Sequence, residues 1–324
     1  MVLINKKGKL ISMGGLRVLS LFDGISCGMV ALERAGMNVE RYDAFEIDKY
    51  AIKVSEKNYS QIVHHGDVFG GNFADFKGYD LLLGGSPCTY WSIAKTGRET
   101  SPDGQGGKLF MEYVHALRES DCKYFLYENN NSIHQNIKDF ISEHLGVHPI
   151  MINSALLSAQ QRKRCYWTNI PGVCQPKDKG ILLKDILESG ISWQDKSYCM
   201  TASYNGAVFW NTIQRSQRSM TEPIRVGQYG NGGQGQRIYS VRGKSVTLSA
   251  NGGGQGAKTG LYKIDLPDGD YIIRKLTPVE AERLQTLPDN YTEGISNTQR
   301  YKCIGNGWTV DVIAHILKGI KDNF

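Results

Sequence analysis

Leu16-Arg-Val-Leu-Ser-Leu-Phe22, running directly into Asp23-Gly-Ile-Ser-Cys-Gly28, is the stretch on which the fold turns. The first half is an apolar run of strand length. The second is a glycine-bearing turn that opens a helical pattern over Gly28–Ala35. Glycines at a strand-to-helix turn let a ligand approach the backbone, and the helix start offers unpaired N–H donors. The spacing of Gly24 and Gly28 is G-x-x-x-G, which is not the dinucleotide pattern G-x-G-x-x-G.

Outward from this turn the same rhythm repeats. Tyr42–Phe45 reads as a second strand, and Asp48–Asn58 as a helix with Asp48 as its N-cap. Asp80–Leu83 and Tyr124–Tyr127 are further short apolar strands, with helical patterns at Leu109–Arg118 and Ile133–Leu145. Alternating strands and helices predict an α/β domain whose parallel sheet carries helices on both faces, with ligands at the carboxyl ends of the strands. Helical periodicity returns at Pro278–Thr286, capped by Thr277, and a last helix is expected over Thr309–Ile320.

The character of the chain changes after about residue 190. Residues 227–260 hold 11 of the 37 glycines, including Asn231-Gly-Gly-Gln-Gly and Asn251-Gly-Gly-Gly-Gln-Gly. Between these pieces, Arg237-Ile-Tyr-Ser-Val-Arg-Gly-Lys-Ser-Val-Thr-Leu-Ser is rich in strand formers, so paired strands bounded by glycine loops are expected. Residues 151–260 carry 14 Lys and Arg against 5 Asp and Glu, although the whole chain is only +6. One basic section on a near-neutral body suggests a polyanionic partner; on charge alone, a solvated basic face explains it equally well. Seven cysteines without a C-x-x-C pair argue against a disulfide framework or a structural metal site, and suit a reducing cytoplasm. No apolar run approaches the roughly 18 residues that span a membrane.

The residues that could carry chemistry stand at strand ends. Glu46 closes the second strand, where a carboxylate commonly accepts from ribose hydroxyls, and Asp67 follows in Gly66-Asp-Val. Either carboxylate alone is more often a cap or turn residue. A glycine turn, Glu46 and Asp67 at three successive strand ends favour a nucleoside cofactor. Gly84-Gly-Ser-Pro-Cys-Thr-Tyr-Trp-Ser92 leaves the next strand, delivering Cys88 on a loop, where a thiol is reactive once ionised. The glycine-rich stretch from there to Gly107 reads as a mobile lid. Tyr127-Glu128-Asn-Asn130 ends a further strand, putting a carboxyl at the same edge. Gln160-Gln-Arg-Lys-Arg164 opens an apparent strand, and its arginines suit phosphates or a carbonyl oxygen.

In this order the motifs resemble the DNA cytosine-5 methyltransferase family. Arg274-Lys-Leu-Thr-Pro-Val-Glu-Ala-Glu-Arg-Leu-Gln-Thr-Leu-Pro288 and Ile304-Gly-Asn-Gly-Trp-Thr-Val resemble that family's last two motifs. The resemblance covers about residues 16–170 and 271–320, and Ile181–Asp270 corresponds to its variable region. Leu19-Ser-Leu-Phe-Asp-Gly-Ile and Gly84-Gly-Ser-Pro-Cys look like the animal de novo branch, while the glycine-rich second half looks like the bacterial and phage enzymes. The family's Glu-Asn-Val stands here as Glu128-Asn-Asn130, and its Gly-Asn-Ser as Gly305-Asn-Gly307.

The resemblance implies a Rossmann-like S-adenosylmethionine-dependent fold with a smaller, mainly β target-recognition domain. The catalytic part would span residues 1–190 and 301–324, and the recognition part 191–300. It implies S-adenosylmethionine as cofactor, held by Phe22, Gly24, Gly28, Glu46, Ile47, Asp67, Pro87, Leu109 and Asn306. Cys88 would be the covalent nucleophile. Glu128 would hold and protonate the cytosine ring near N3, Arg164 would hold its O2, and Arg162 would support the site. The partner would be double-stranded DNA, touched by Ser92, Arg225, Arg237, Arg242 and Lys244. A monomer without a metal is expected, in the cytoplasm of a bacterium or phage-infected cell, with a cognate restriction endonuclease as a candidate partner. The same fold acting on tRNA, or as an inactive DNA-binding regulator, is the alternative. The basic variable region argues against the first, and the retained Cys88, Glu128 and Arg164 against the second.

Overall fold

The computed structural model describes residues 14–87, 89–92, 97–188 and 276–321, together with the backbone of strands at 2–4, 10–12, 197–198, 225–228, 237–240, 261–265 and 271–274. A small hairpin, β1 (Val2–Ile4) with β2 (Leu10–Ser12), comes first. The main sheet is built from β3 (Leu16–Leu21), β4 (Val39–Phe45), β5 (Val63–His64), β6 (Leu81–Gly84), β7 (Tyr124–Asn130), β8 (Ile150–Asn153) and β10 (Lys163–Thr168). A two-residue strand, β9 (Gln160–Gln161), precedes β10. The order across the sheet is β5-β4-β3-β6-β7-β10-β8.

The five strands from β5 to β7 are parallel, as expected, but β10 runs antiparallel between β7 and β8. The reason lies in chain length. Only residues 154–162 separate β8 from β10, fewer than the dozen or so that a parallel crossover needs. The chain therefore turns back and inserts β10 beside β7, pairing Arg164 with Asn130 and Tyr166 with Glu128.

Helices α1 (Cys27–Arg34), α2 (Lys49–Asn58), α3 (Gln105–Ser120), α4 (Gln135–Leu145), α5 (Pro278–Leu284), α6 (Asn297–Asn306) and α7 (Val310–Lys321) complete the layers. Strand alternation divides the core in two. On one face Val18, Leu81, Leu83 and Leu126 pack with Val30, Leu32, Ile313 and Leu317 of α1 and α7; on the other, Leu19, Leu21, Leu82 and Tyr127 pack with Phe110, Tyr113, Ile137 and Ile141 of α3 and α4. The side-chain period of two sends neighbouring residues of one strand to opposite faces. The caps follow the sequence: Asp48 accepts from the Tyr50 N–H, and Thr277 with Glu280 forms a capping box at the start of α5. Helix α6 carries no amphipathic signal strong enough to have been read in advance.

A third core cluster joins Ala159, Leu183 and Ile186 to Leu276, Leu284, Tyr301 and Ile304. Tyr291 donates to the Ile25 carbonyl at 2.7 Å, from within the first core cluster. Packing with the large sheet unit thus runs across the boundary expected at residue 300 and takes in residues 276–300. In the variable section, β12 (Arg225–Gln228), β13 (Arg237–Ser240), β14 (Leu261–Asp265) and β15 (Tyr271–Arg274) form a separate four-stranded sheet. A short β11 (Ser197–Tyr198) pairs with β9. No helix among the described residues is long and apolar enough to cross a membrane.

Candidate active site

The turn after β3 is held in a conformation its residue types do not favour. Phe22, Gly24 and Ser26 all lie at positive φ, at 58°, 62° and 59°. For the two non-glycine residues this left-handed backbone costs on the order of 1–3 kcal/mol each and needs support from the surroundings. Asp23 supplies it. Its carboxylate accepts from the hydroxyls of Ser20, Ser26 and Tyr42, each at 2.6 Å. Burial pushes the Asp23 carboxyl up, and the three hydroxyl donors oppose that shift. Ser26 also meets Ser55 at 2.6 Å, and Ser55 meets His64 Nε2 at 3.1 Å, so the turn is tied to α2 and β5.

Glu46 completes the turn from the next strand. Its Oε2 accepts the Gly24 N–H, and its Oε1 accepts those of Ile47 and Asp48, all at 2.8 Å. Burial raises the Glu46 carboxyl, with the three backbone donors pulling the other way. A carboxylate has about four acceptor positions, so the loop uses most of them and leaves one on Oε2 for a ligand. Nothing stands within 4 Å of where a Gly24 Cβ would project, so the turn faces open space. Ile47 and Phe69 are exposed large apolar residues, and the exposed Asp67 caps a short turn by accepting the Phe69 N–H at 3.1 Å. Open backbone, a carboxylate with spare capacity, a second exposed carboxylate and an exposed apolar face suit a nucleoside.

Two residues expected at that pocket are tightly packed. A Cβ on Gly28 would stand 2.8 Å from both Leu83 Cδ1 and Tyr42 Oη, so this glycine serves helix-to-sheet packing. Leu109 is buried in the core cluster of α3. Phe22 packs partly against that cluster, Pro87 is exposed at the strand exit, and Asn306 is exposed as the last residue of α6.

The strand exit toward Cys88 is fixed by its neighbours. A Cβ on Gly84 would lie 2.7 Å from the Tyr113 ring, and one on Gly85 would lie 3.0 Å from the Glu128 carbonyl oxygen. Ser86 Oγ and Tyr127 Oη are 2.6 Å apart, and Asn129 Nδ2 donates to the Ser86 carbonyl at 3.4 Å. Cys88 itself lies outside the described residues. Among the described thiols, burial pushes Cys27 and Cys303 up to about 12 and Cys122 up to about 11. Those three thiols are protonated at neutral pH and serve the core.

Beside this exit stands the Glu128–Arg164 pair, Oε1 to Nε at 2.9 Å, with both side chains largely withdrawn from solvent. Trp308 Nε1 donates to the other oxygen, Oε2, at 3.1 Å. Arg164 is oriented by donating through Nη1 to the Lys163 carbonyl at 2.9 Å and to Asn130 Oδ1 at 3.4 Å. The amide at 130, where the family has an apolar residue, therefore has a role: it helps hold the guanidinium. Arg162 points elsewhere. It is buried, and its Nη2 donates to the carbonyls of Gly305 and Gly307 at 3.2 and 3.1 Å.

Ser92, expected against DNA, is buried beside the fully buried Trp91. The expected lid is also anchored where it is described. Glu99 accepts the N–H groups of Gln105 and Gly106 at 3.0 Å each, capping α3, and Arg98 donates to the Ser132 carbonyl at 2.9 Å. Residues 105–107 are the first turn of α3 rather than loop. Residues 93–96 lie outside the described residues. Arg225 and Arg237 fall on the neighbouring antiparallel strands β12 and β13, whereas Arg242 and Lys244 lie outside the described residues. Trp308, Asp23 and Gln285 were not singled out from sequence. The one signal for Trp308 was an aromatic side chain directly after Gly305-Asn-Gly307.

With its parallel-dominated sheet, open glycine-bearing turn and held carboxylate at the carboxyl edge, the protein has a Rossmann-like fold of the kind found in methyltransferases. Its architecture is shared by Spodoptera frugiperda DNMT2 (TM-score 0.64, 16% identity, 94% of this chain and 99% of that one) and by the Entamoeba histolytica methyltransferase EhMeth (TM-score 0.64, 15% identity, 96% and 99%). In sequence the chain is 32% identical over 329 residues to the type II methyltransferase M.HhaI of Haemophilus parahaemolyticus, with 94% of each covered. It is 26% identical to the orphan methyltransferase M.SPRI of Bacillus phage SPR, over 94% of this chain and 97% of that one. The profile of the C-5 cytosine-specific DNA methylases matches residues 16–322, and the chain belongs to that family.

Replacing Arg162 by Leu should leave the carbonyls of Gly305 and Gly307 short of a buried donor. Unfolding in urea should show a loss of about 1–3 kcal/mol. Wild-type stability in that variant would mean that the Arg162 bonds contribute nothing to holding the last motif.

Proposed function

We propose that this enzyme methylates C5 of cytosine in double-stranded DNA, using S-adenosylmethionine as donor and Cys88 as nucleophile. The observation that carries the reading is the Glu128–Arg164 pair standing beside the Gly84–Pro87 exit that leads to Cys88. Cytosine C5 is too electron-poor to attack a methyl group unaided. Addition of the Cys88 thiolate to C6 forms a C6–S bond and makes C5 enamine-like. Glu128 gives a proton to N3, neutralising the negative charge that develops on the ring as the thiolate adds, and takes it back when the adduct collapses, while Arg164 holds O2 and the Glu128 carboxyl group. S-adenosylmethionine, when bound, supplies the electrophilic methyl group. Loss of the C5 proton to a base then re-forms the C5–C6 double bond as the C6–S bond breaks and the Cys88 thiolate is released. The target base must leave the duplex to reach these groups, as it does for DNA methyltransferases as a class.

The cofactor reading rests on the turn at Phe22 and Gly24 and on Glu46, Ile47, Asp67 and Asn306. Glu46 and Asp67 offer acceptors to a ribose and an adenine amino group, and Ile47 an apolar face. Recognition of the DNA sequence is assigned to about residues 191–275, where Arg225, Arg237, Arg242 and Lys244 lie in basic, glycine-rich sequence. Some of these would grip phosphates, and one or two arginines would pair with guanine edges. Kinship with a type II methyltransferase supports a restriction-modification setting in bacterial or phage-infected cytoplasm.

Cys88→Ser should cut methyl transfer by about a thousandfold or more while leaving folding and much of the DNA binding intact, because an alcohol is far less ionised than a thiol. Duplex carrying 5-fluorocytosine should trap the wild-type protein covalently. Turnover of Cys88→Ser near the wild-type rate would overturn the assignment. Asp67→Ala should raise the apparent KM for S-adenosylmethionine by about tenfold or more with little change in that for DNA, reflecting the loss of one bond worth about 1–3 kcal/mol. Unchanged cofactor affinity by calorimetric titration would show that the pocket lies elsewhere. Exchanging residues 191–270 for those of a relative with a different target should transfer the target site. An active chimera that keeps the original site would place specificity outside this region.

A further inference from the structure

Trp308 stands where three motifs meet. Its indole Nε1 donates to Glu128 Oε2 at 3.1 Å. Two glycines flank the ring at contact distance. A Cβ on Gly85 would come within 3.4 Å of the indole nitrogen, and one on Gly28 within 3.7 Å of Cζ3. Gly307, just before it, is also constrained: a Cβ there would lie 3.1 Å from Cys27 Sγ. The glycine that replaces the family's serine thus lets the chain pass close to α1 as it presents the tryptophan.

The segment bearing Trp308 is anchored from behind by a fully buried amide network. Gln285 Nε2 donates to the carbonyls of Ile304 (2.8 Å) and Gly307 (3.1 Å), and its Oε1 accepts from Thr309 Oγ1 (2.7 Å) and Gln160 Nε2 (2.8 Å). Arg162 adds its bonds to Gly305 and Gly307. Gln160, Arg162 and Arg164 lie in one short run, so the segment that delivers Arg164 to one oxygen of Glu128 also braces the turn that delivers Trp308 to the other.

We propose that Trp308 is a positioning residue for Glu128, its indole N–H locking the carboxylate plane against Arg164 while the thiolate adds to the base. The terminal torsion of a glutamate is broad and roughly two-fold, so an acid bonded through one oxygen only would sample many orientations. Donors on opposite oxygens remove that freedom before the base arrives, which is where positioning contributes to rate. The proposal rests on the role given to Glu128 above.

Trp308→Phe keeps the ring bulk and removes the donor. It should lower single-turnover methyl transfer about tenfold, a loss of positioning, with the apparent KM for S-adenosylmethionine and for DNA within about twofold of wild type. In protein labelled with 15N-tryptophan, one of the five indole N–H resonances should move upfield in Glu128→Gln, and that resonance should be the one missing from Trp308→Phe. A wild-type rate for Trp308→Phe would overturn the proposal. So would a change confined to the cofactor KM, which would make the ring a wall of the cofactor pocket. If Trp308→Phe does not fold, the wild-type and Glu128→Gln spectra decide alone, and five unmoved indole signals would overturn the bond. Full activity of Glu128→Gln would overturn the role of Glu128 itself, and the indole spectrum tells this apart, since the contact would still register there.

Discussion

A carboxylate withdrawn from water at the end of β7 is the constraint around which the site is organised. Glu128 could not be held there alone, because desolvating an unpaired charge costs several kcal/mol. Arg164 compensates one oxygen and Trp308 the other. Each partner must in turn be held: Arg164 by Lys163 and Asn130, Trp308 by Gln285 and Arg162 acting on its flanking carbonyls. The antiparallel insertion of β10 makes this possible. A parallel strand in that place would leave the sheet in the opposite direction and carry Arg164 away from the carboxyl edge where Glu128 sits.

The turn after β3 obeys a similar logic on the other side of β6. Phe22 and Ser26 adopt left-handed backbone that neither prefers, and Asp23 and Glu46 hold it by accepting hydroxyl and amide protons. Glu46 is therefore a structural acceptor for the turn, with one acceptor position left over.

The strand-helix alternation, the two caps at Asp48 and Thr277, and the strand-end positions of Glu46, Asp67 and Glu128 were legible from residue types, because they follow from local periodicity and local hydrogen bonding. Gly28 and Leu109, expected as ligand contacts, stand in packed surroundings. A glycine required by a neighbouring leucine looks the same in sequence as one required by a cofactor. Ser92 misled for a related reason, since a polar residue near a reactive loop carries no mark of being buried. The glycine-rich stretch before α3 suggested mobility, yet Glu99, six residues before Gln105, caps the helix and ties the stretch down.

What the sequence determined by itself was the family, the strand–helix order and the residue types that stand at the strand ends, because strand ends are set by local pattern. What only the tertiary structure decided was which of these groups meet. The direction of β10, the pairing of Glu128 with Arg164, the diversion of Arg162 to the last motif and the arrival of Trp308 at Glu128 all join residues tens to nearly two hundred positions apart. Such contacts are selected by packing of the whole core and by the cost of leaving a buried donor or acceptor unpaired, and neither is written in any short stretch of chain.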